Sequence, residues 1–366
     1  MTQRSRLWTW SAVAFVAAAA LAGAAVEWAL RSRPAGTFGY EPDAEGRRAV
    51  LAEFGPEGRF AAAGADAIRK AEGRDTFLYR AAARAHQAKY GRPWVVGRQG
   101  IGDCVSWGWG HAIWIALAVD WETGRLEEPP AVVAVESIYG GSRVEARGRP
   151  GDGRQPVGGW SDGSYGAAAA RWVRDWGVAF RASEAGHNLL AYSADRAKSW
   201  GAYGNGGQGD GGKFDEFVKR HRAEHVAAVG SFAEAAAAIE SGFPVAVCSM
   251  QGFGTVRDKD GFAAASGSWA HCMAFVAVRY RANGSPDDAL LCLNSWGPSW
   301  ISGPRWPEDM PEGSFWVRRS VVDRMLGGSD TDSFAVGSVG GFGWRPVNHR
   351  DWFAPAPATI ASELAP

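Results

Sequence analysis

The chain has 366 residues, of which 46% are hydrophobic and 21% charged, and its 39 Lys and Arg residues are balanced by 39 Asp and Glu residues. A chain of this length can bury one large core or two ordinary ones. The zero formal net charge excludes the strongly basic field that is typical of nucleic-acid-binding proteins. We therefore expect a globular protein without a nucleic-acid partner.

The segment 1–30 is predicted to export or anchor the chain. Arg4 and Arg6 precede the uncharged apolar stretch 7–26, in which 22–24 has the small-x-small pattern of a signal-peptidase site. The same stretch is long enough to span a bilayer as an uncleaved anchor. A cleaved signal peptide and a retained membrane anchor both remain open, with a buried soluble helix as a third alternative. Either of the first two places the rest of the chain outside the cytoplasm, in the periplasm or the extracellular space.

A linker and a helical segment are predicted for residues 31–89. Residues 31–45 are polar and contain Gly and Pro, whereas the apolar spacing from 43 to 90 is typical of short helices that Gly55-Pro56 and Gly73 divide. This segment is interpreted as a propeptide, a helical spacer or an N-terminal elaboration.

Cys104 differs in its surroundings from the other three cysteines. Asp103 is a good N-cap, and apolar residues at helical spacing predict a helix over 104–121 with Cys104 in its first turn. The free amide groups and the dipole of a helix N-terminus lower the pKa of a thiol, which suits a nucleophile. The alternative is a small core residue at a helix start. His111, two turns further along, is interpreted as a packed histidine rather than a second base.

The rest of the chain changes from helical to strand-rich character. A Gly-rich loop is predicted over 139–165, then a helix over 165–176, an extended segment over 177–180 and a long surface excursion over 181–212. A short helix over 231–239 is followed by four predicted strands, at 243–250, 270–280, 289–293 and 314–318, and by a Pro/Ala-rich tail over 346–366. This order predicts an α+β protein with a helical lobe, a β-rich lobe and a cleft between them.

Cys248, Cys272 and Cys292 lie inside apolar runs, and we interpret them as small core residues rather than a disulfide framework. Two short motifs are weaker still. His221-Arg222-Ala223-Glu224-His225 fits a zinc-peptidase pattern but is crowded by positive charge, so a solvated helix is preferred. The segment 207–213 has the glycine and lysine spacing of a phosphate-binding loop, but Phe214 follows it where Ser or Thr is needed.

Three separated segments together resemble papain-like cysteine peptidases. They are, in chain order, Gln99-Gly100-Ile101-Gly102-Asp103-Cys104, Ala270-His271-Cys272 and Asn294-Ser295-Trp296-Gly297, and the last follows the apolar run 289–293. Further similar segments are 160–166, 242–247 and 313–318. The resemblance covers residues 90–345, which we define as the peptidase domain.

The resemblance implies a role for each matched residue. Cys104 would be the nucleophile and His271 its general base and acid, with Asn294 orienting the imidazole. Gln99 would join the Cys104 backbone amide in stabilising the oxyanion. Trp296 would shield the histidine–asparagine hydrogen bond. The implied substrate-binding residues of the cleft are Asp162, Gly163, Ser164 and Trp296.

The chain departs from the family pattern close to the cysteine. Only four residues separate Gln99 from Cys104, where the family usually has five. Val105 replaces the aromatic residue that normally follows the nucleophile. Ile101 stands where the family has a cysteine, so the nearby family disulfide is absent.

These patterns predict a two-lobe papain-like fold in which the helical lobe carries the cysteine and the antiparallel lobe carries the histidine and asparagine. The expected activity is hydrolysis of peptide bonds through an acyl-enzyme intermediate, without metal or cofactor, by a monomer that binds protein or peptide substrates. The N-terminal segment would also contact a membrane if it is uncleaved. The alternatives are a cell-wall peptide hydrolase or amidase on the same scaffold and a catalytically silent binding module.

Overall fold

A computed structural model describes residues 38–147, 162–207, 213–223 and 225–337. The predicted export or anchor segment 1–30 and the predicted tail 346–366 lie outside the described residues. Within the described ranges, no helix is both long and apolar enough to cross a membrane.

The described helices are mostly in the first half of the chain. They are α1 (Ala44–Phe54), α2 (Phe60–Ala63), α3 (Ala65–Lys70), α4 (Tyr79–Tyr90), α5 (Cys104–Glu122), α6 (Val135–Arg143), α7 (Gly166–Asp175), α8 (Ala194–Tyr203), α9 (Lys213–Val218), α10 (Phe232–Glu240) and α11 (Arg319–Gly327). The predicted breaks at Gly55 and Gly73 both fall between helices. The predicted loop over 139–165 begins inside α6, because the side chains of α6 are buried and the helix is held by packing rather than by propensity.

The strands are mostly in the second half. They are β1 (Thr76–Phe77), β2 (Val133–Ala134), β3 (Ala179–Phe180), β4 (Ser183–Glu184), β5 (His187–Asn188), β6 (His225–Ala228), β7 (Val245–Arg257), β8 (Ala263–Arg279), β9 (Ala289–Leu293), β10 (Ser314–Arg318) and β11 (Asp332–Gly337). The α+β prediction is confirmed, and all four predicted strands are present. β11 and the outer half of the β7–β8 hairpin were not predicted.

One antiparallel sheet forms the second lobe. Its strand order is β10-β9-β8-β7-β11-β6, and β1 pairs with β8 beyond the start of β7. β9 is buried at every position, which explains why it is a continuous apolar run without alternation. The sheet brings residues from 76 to 337 into one layer.

Helix α5 is the centre of the other lobe. Its residues from Cys104 to Ala116 are all buried, as expected for a helix that is apolar on every side. Gly108 allows the helix to touch the sheet directly, because an added Cβ would lie 2.8 Å from both the Cys272 sulfur and the Met273 carbonyl oxygen of β8. The cysteine end of α5 is therefore pressed against β8.

The N-terminal segment 31–89 is part of this packing where it is described. Thr76 and Phe77 pair with Val278 and Ala277 of β8. The following helix, α4, buries Tyr79, Ala82 and Ala85 in the common core. Residues 76–90 thus contribute both a strand and a helix to the folded body.

Candidate active site

Cys104 and His271 come from different lobes and lie on two elements that contact each other, α5 and β8. Asp103 occupies the N-cap position of α5, and Cys104 is the first helical residue, fully buried. The backbone N–H of Cys272 donates to the Cys104 sulfur. The thiol thus lies against the residue that directly follows His271.

His271 is oriented by Asn294 on the neighbouring segment. The His271 Nε2 and Asn294 Oδ1 atoms are 2.7 Å apart. Asn294 Oδ1 also accepts from the Ser295 backbone N–H at 2.7 Å, so it is the amide oxygen that faces the ring and Nε2 must be the donor. Nδ1 has no hydrogen-bond partner among the described residues. The neutral tautomer set by Asn294 therefore leaves Nδ1 as a proton acceptor.

Trp296 covers this pair, with its ring centroid 4.6 Å from that of His271. Trp269 and Trp300 extend the cover, because their rings lie 4.8 and 5.1 Å from the Trp296 ring. An aromatic layer of this kind keeps water away from the hydrogen bond below it. Trp269 was not singled out from the sequence.

Gln99 lies in a loop that is tied to the Asn294 segment. Its backbone N–H donates to the Ser295 carbonyl at 2.8 Å, and its side-chain oxygen accepts from the Ser295 hydroxyl at 2.7 Å. The side-chain amide donates to the Ile101 carbonyl at 2.9 Å. The loop that precedes Cys104 therefore holds Gln99 next to the histidine–asparagine pair.

The predicted substrate-binding residues Asp162, Gly163 and Ser164 form the opposite wall. Asp162 is exposed, whereas Gly163 and Ser164 are buried. The buried Arg143 guanidinium donates to the Gly163 carbonyl and fixes this wall to α6. The structure thus places the eight candidate residues on the two walls of one cleft, and their roles in catalysis and substrate binding stay predictions.

Residues 38–41, here called the cleft segment, run through that cleft. The N–H groups of Gly39 and Tyr40 donate to the carbonyl of Ala270, directly before His271, at 3.2 and 3.1 Å. On the other wall, Ser164 N–H donates to the Gly39 carbonyl at 2.7 Å, and Glu41 N–H donates to the Ser164 carbonyl at 2.9 Å. The cleft segment bridges both lobes.

Close approach of two glycines allows the cleft segment to lie so deep. An added Cβ at Gly39 would overlap the carbonyl oxygen of Gly102, two residues before Cys104. Tyr40 is anchored in the core, where its hydroxyl donates to Asp330 O at 2.9 Å and Asp332 Oδ2 at 3.2 Å. In the sequence, the approach of the cleft segment to Gly102 is indicated only by a glycine next to an aromatic residue, Gly39-Tyr40, within the predicted linker.

Burial controls protonation in this covered site. Desolvation raises the pKa of the Cys104 thiol to about 12, whereas the position at a helix N-terminus predicted a lowered pKa. Desolvation also lowers the pKa of His271 to about 4, although the hydrogen bond to Asn294 acts in the opposite direction. Both groups are neutral at pH 7 because the covered cleft gives neither charge access to water.

The interpretation of Cys248 and Cys272 as separate core residues was wrong. They form a disulfide between β7 and β8 at opposite register positions, next to the Ser249–His271 pair. Only the strand register makes them neighbours, which a single sequence does not reveal. Cys104 and Cys292 are free and buried.

The histidine motif does not join this site, and the 207–213 motif and Glu224 lie largely or wholly outside the described residues. His221 lies in a short 3₁₀ turn and His225 begins β6, so the two do not share a helix face. Among the described residues, no group of three potential ligands is arranged to hold a metal ion. His111 is buried against the Trp107 and Trp94 rings.

A cysteine at the start of a central helix, facing a histidine and an asparagine on an antiparallel sheet, defines the papain-like fold of cysteine proteases. No family model matches the sequence, and no curated protein matches it. Among solved structures, the chain is similar to xylellain, a cysteine protease from Xylella fastidiosa, with a TM-score of 0.51 and 14% identity over 84% of this chain and 98% of that one.

The chain is also similar to digestive procathepsin L 3 of Tenebrio molitor larval midgut, with a TM-score of 0.44 and 16% identity over 73% of this chain and 71% of that one. The match to xylellain confirms, at the level of the fold, the resemblance stated from the sequence. At 14% identity the xylellain structure supports the fold alone, so activity has to be argued from the site.

Proposed function

We propose that the chain is a cysteine peptidase that hydrolyses peptide bonds through an acyl-enzyme intermediate. The observation that carries the proposal is the hydrogen bond between His271 Nε2 and Asn294 Oδ1, which leaves Nδ1 without a partner beside the segment that holds the Cys104 sulfur. A thiol, an imidazole and an orienting amide in this relation support nucleophilic catalysis.

In this mechanism, Nδ1 of His271 takes the Cys104 proton as the sulfur attacks the substrate carbonyl. The backbone amide of Cys104 and the Gln99 side chain stabilise the oxyanion, a contribution of roughly 3 kcal/mol per donor. The C–N bond then breaks and the leaving amine takes the proton from His271. Water, deprotonated by His271, attacks the thioester, and the thiol and a carboxylic acid are released.

The cleft segment indicates the class of substrate. Ala270 offers a backbone acceptor on one wall and Ser164 a backbone donor and acceptor on the other, and residues 39–41 form hydrogen bonds with all three groups. Main-chain pairing of this type recognises any extended peptide. Asp162, Gly163, Ser164 and Trp296 are therefore proposed to bind the substrate backbone and its neighbouring side chains.

The same contacts support a latent form of the enzyme. The cleft segment occupies the backbone groups of Ala270 and Ser164 that a peptide needs. Cys104 and His271 are kept neutral by burial, to which we propose that the cleft segment contributes. We propose that it must leave the cleft before turnover. Because residues 76–90 belong to the core, only the part of segment 31–89 that precedes α1 would leave the cleft.

Export is proposed for the catalytic domain. The apolar stretch 7–26 supports it, and so does the Cys248–Cys272 disulfide, since disulfides persist mainly in oxidising compartments.

The test is to displace the cleft segment without deleting it. In the full chain, Gly39→Ala adds a Cβ that overlaps Gly102, and we expect hydrolysis of fluorogenic dipeptide substrates to increase by about tenfold or more, since a steric cost of about 1.4 kcal/mol shifts an equilibrium tenfold. Gly230→Ala is the matched control, because its nearest neighbour would be 3.8 Å away.

Cys104→Ala in the Gly39→Ala chain must abolish this activity. Hydrolysis that survives Cys104→Ala would contradict the proposed nucleophile. Activity on muropeptides alone would favour the cell-wall hydrolase, and absence of both activities would favour a silent binding module. A parent chain as active as Gly39→Ala would reject latency while leaving the peptidase in place.

A further inference from the structure

Tyr192, in the predicted surface excursion 181–212, connects the described part of that segment to the loop before Cys104. Its hydroxyl donates to Asp103 Oδ2 at 2.9 Å and accepts from the Gly100 backbone N–H at 3.0 Å. Gly100 follows Gln99 and Asp103 precedes Cys104. One phenol therefore links both ends of the loop that carries the proposed oxyanion donor and the proposed nucleophile.

The contact replaces the capping role expected for Asp103. Asp103 occupies the N-cap position, but its side chain makes no cap hydrogen bond to α5. Its carboxyl is fully buried, and Oδ1 has no hydrogen-bond partner among the described residues. The side chain is thus directed to Tyr192, 89 residues away in sequence.

A buried acidic residue of α6 holds the residues that flank Tyr192 in the sequence. Glu136 of α6 is fully buried and pairs with Arg181 at 2.8 Å and with Arg196 at 3.0 Å. It also accepts from the Ser193 backbone N–H at 3.0 Å. The residues on both sides of Tyr192 are therefore held to α6, so the phenol has little freedom to move away from the loop.

Side-chain packing also joins the residues around Tyr192 to the loop before Cys104 and to α5. An added Cβ at Gly100 would lie 2.9 Å from the Ala194 Cβ, and the Tyr192 ring lies 5.1 Å from the Trp107 ring of α5. The loop between Gln99 and Cys104 is one residue shorter than in the family it resembles, and it is supported here by a segment from outside the loop.

We propose that Tyr192 is a positioning residue, whose hydroxyl holds Gly100 and Asp103 so that the Gln99 amide and the Cys104 thiol keep a productive relative position. This inference rests on the proposed peptidase function and deepens it. Tyr192 acts through the loop and does not touch the reacting atoms.

The ionisation of Asp103 gives the positioning role of Tyr192 a measurable pH dependence. Burial raises the pKa of Asp103 to about 8, and the hydrogen bond from Tyr192 opposes that rise. Below pH 8 the carboxyl is neutral; above it, its negative charge opposes the Cys104 thiolate. The titratable and charged groups that face Asp103 are Tyr192, Glu136 with its partners Arg181 and Arg196, Tyr139 and Cys104.

The experiment uses the full chain with Gly39→Ala as the parent. Tyr192→Phe is expected to lower kcat about tenfold and to change KM by no more than about twofold. The reason is that a misplaced catalytic loop weakens stabilisation of the transition state more than binding of the substrate. The control Tyr203→Phe changes a phenol that is 59% exposed on the same excursion and should leave both constants unchanged.

The pH profile separates positioning from general stability. Asp103→Asn keeps an acceptor for Tyr192 but removes the charge, so the alkaline limb of kcat/KM should move up by about one pH unit. Tyr192→Phe should move it in the same direction, because it removes the donor that favours the carboxylate. Thermal unfolding and titration of active thiols report the folded fraction, and Asp103→Asn remains a test if Tyr192→Phe folds poorly.

Unchanged kcat in folded Tyr192→Phe, or an alkaline limb that Asp103→Asn does not move, would overturn the inference while the peptidase proposal stands. A Gly39→Ala parent without Cys104-dependent turnover would overturn both.

Discussion

The protonation of Cys104 and His271 depends on whether water reaches the cleft. With the cleft segment in position, burial raises the pKa of the thiol to about 12 and lowers that of the imidazole to about 4, so both are neutral between these values. In the proposed mechanism, opening the cleft would solvate both charges and allow the proton to move from sulfur to Nδ1. The cleft segment would then control the Cys104–His271 pair through access of water.

This dependence predicts a change in thiolate content. Between about pH 5 and 9, the ultraviolet thiolate signal, taken as the difference from the same chain with Cys104→Ala, should be absent in the parent and present after Gly39→Ala. Cys292 is the internal reference for a thiol that stays protonated. It is free and buried, burial raises its pKa, and it lies outside the cleft. Equal thiolate signals in the two chains would mean that the cleft segment does not control the pair.

At the scale of elements, the contact between α5 and β8 positions the proposed nucleophile relative to the proposed base. Gly108 is a point of close approach, where an added Cβ would lie 2.8 Å from the Met273 carbonyl oxygen and from the Cys272 sulfur. Strand backbone and a disulfide-bonded sulfur offer a larger residue no flexible side chain to displace. The helix must move instead, and it would carry Cys104 away from His271.

We predict that Gly108→Ala destabilises the protein by about 1–3 kcal/mol and lowers activity more than the unfolded fraction explains. Gly327→Ala is the matched control in a helix, because its added Cβ would have its nearest neighbour 4.0 Å away, and a change within about 0.5 kcal/mol is expected. Denaturant unfolding and peptide hydrolysis measure the two effects. Equal stability of the two variants would refute this view of the contact.

For the whole molecule, the N-terminal segment divides into a part that we propose leaves the cleft and a part that is structural. The cleft segment precedes α1, whose Val50 and Leu51 already belong to the core, and further along the chain β1 pairs with β8 and α4 packs beside α5. A fragment that begins after Tyr90 would lack a strand and a helix, including the buried Phe77 and Tyr79, and would expose the core surface that they cover. We therefore expect any activating cleavage upstream of α1.

Limited proteolysis of the full chain should give a stable fragment that retains residues 76–90. Mass spectrometry of the resistant fragment identifies its first residue, and the Cys104→Ala chain shows whether cleavage needs the chain's own activity. Recovery of a folded, active fragment that starts near residue 90 would contradict the structural role of β1 and α4.

Much of the architecture could be predicted because it follows from local patterns of apolar residues. The apolar run 289–293 and the helix from Cys104 are long, strongly apolar signals, and the structure has them within one residue of the predicted ends. β11 and the outer β7–β8 hairpin were missed because Ser, Gly and Thr interrupt their apolar pattern. Local hydrophobicity does not report pairing by backbone hydrogen bonds.

The sequence by itself determined the fold class and the order of the lobes, and it named Gln99, Cys104, His271 and Asn294 as candidate site residues, because motifs and periodicity are local properties of a chain. Only the tertiary structure decided that Cys248 pairs with Cys272, that Gly39 lies under Gly102 and that Asp103 turns to Tyr192. These contacts join residues 24 or more positions apart through register and close approach, which depend on the packing of the whole chain.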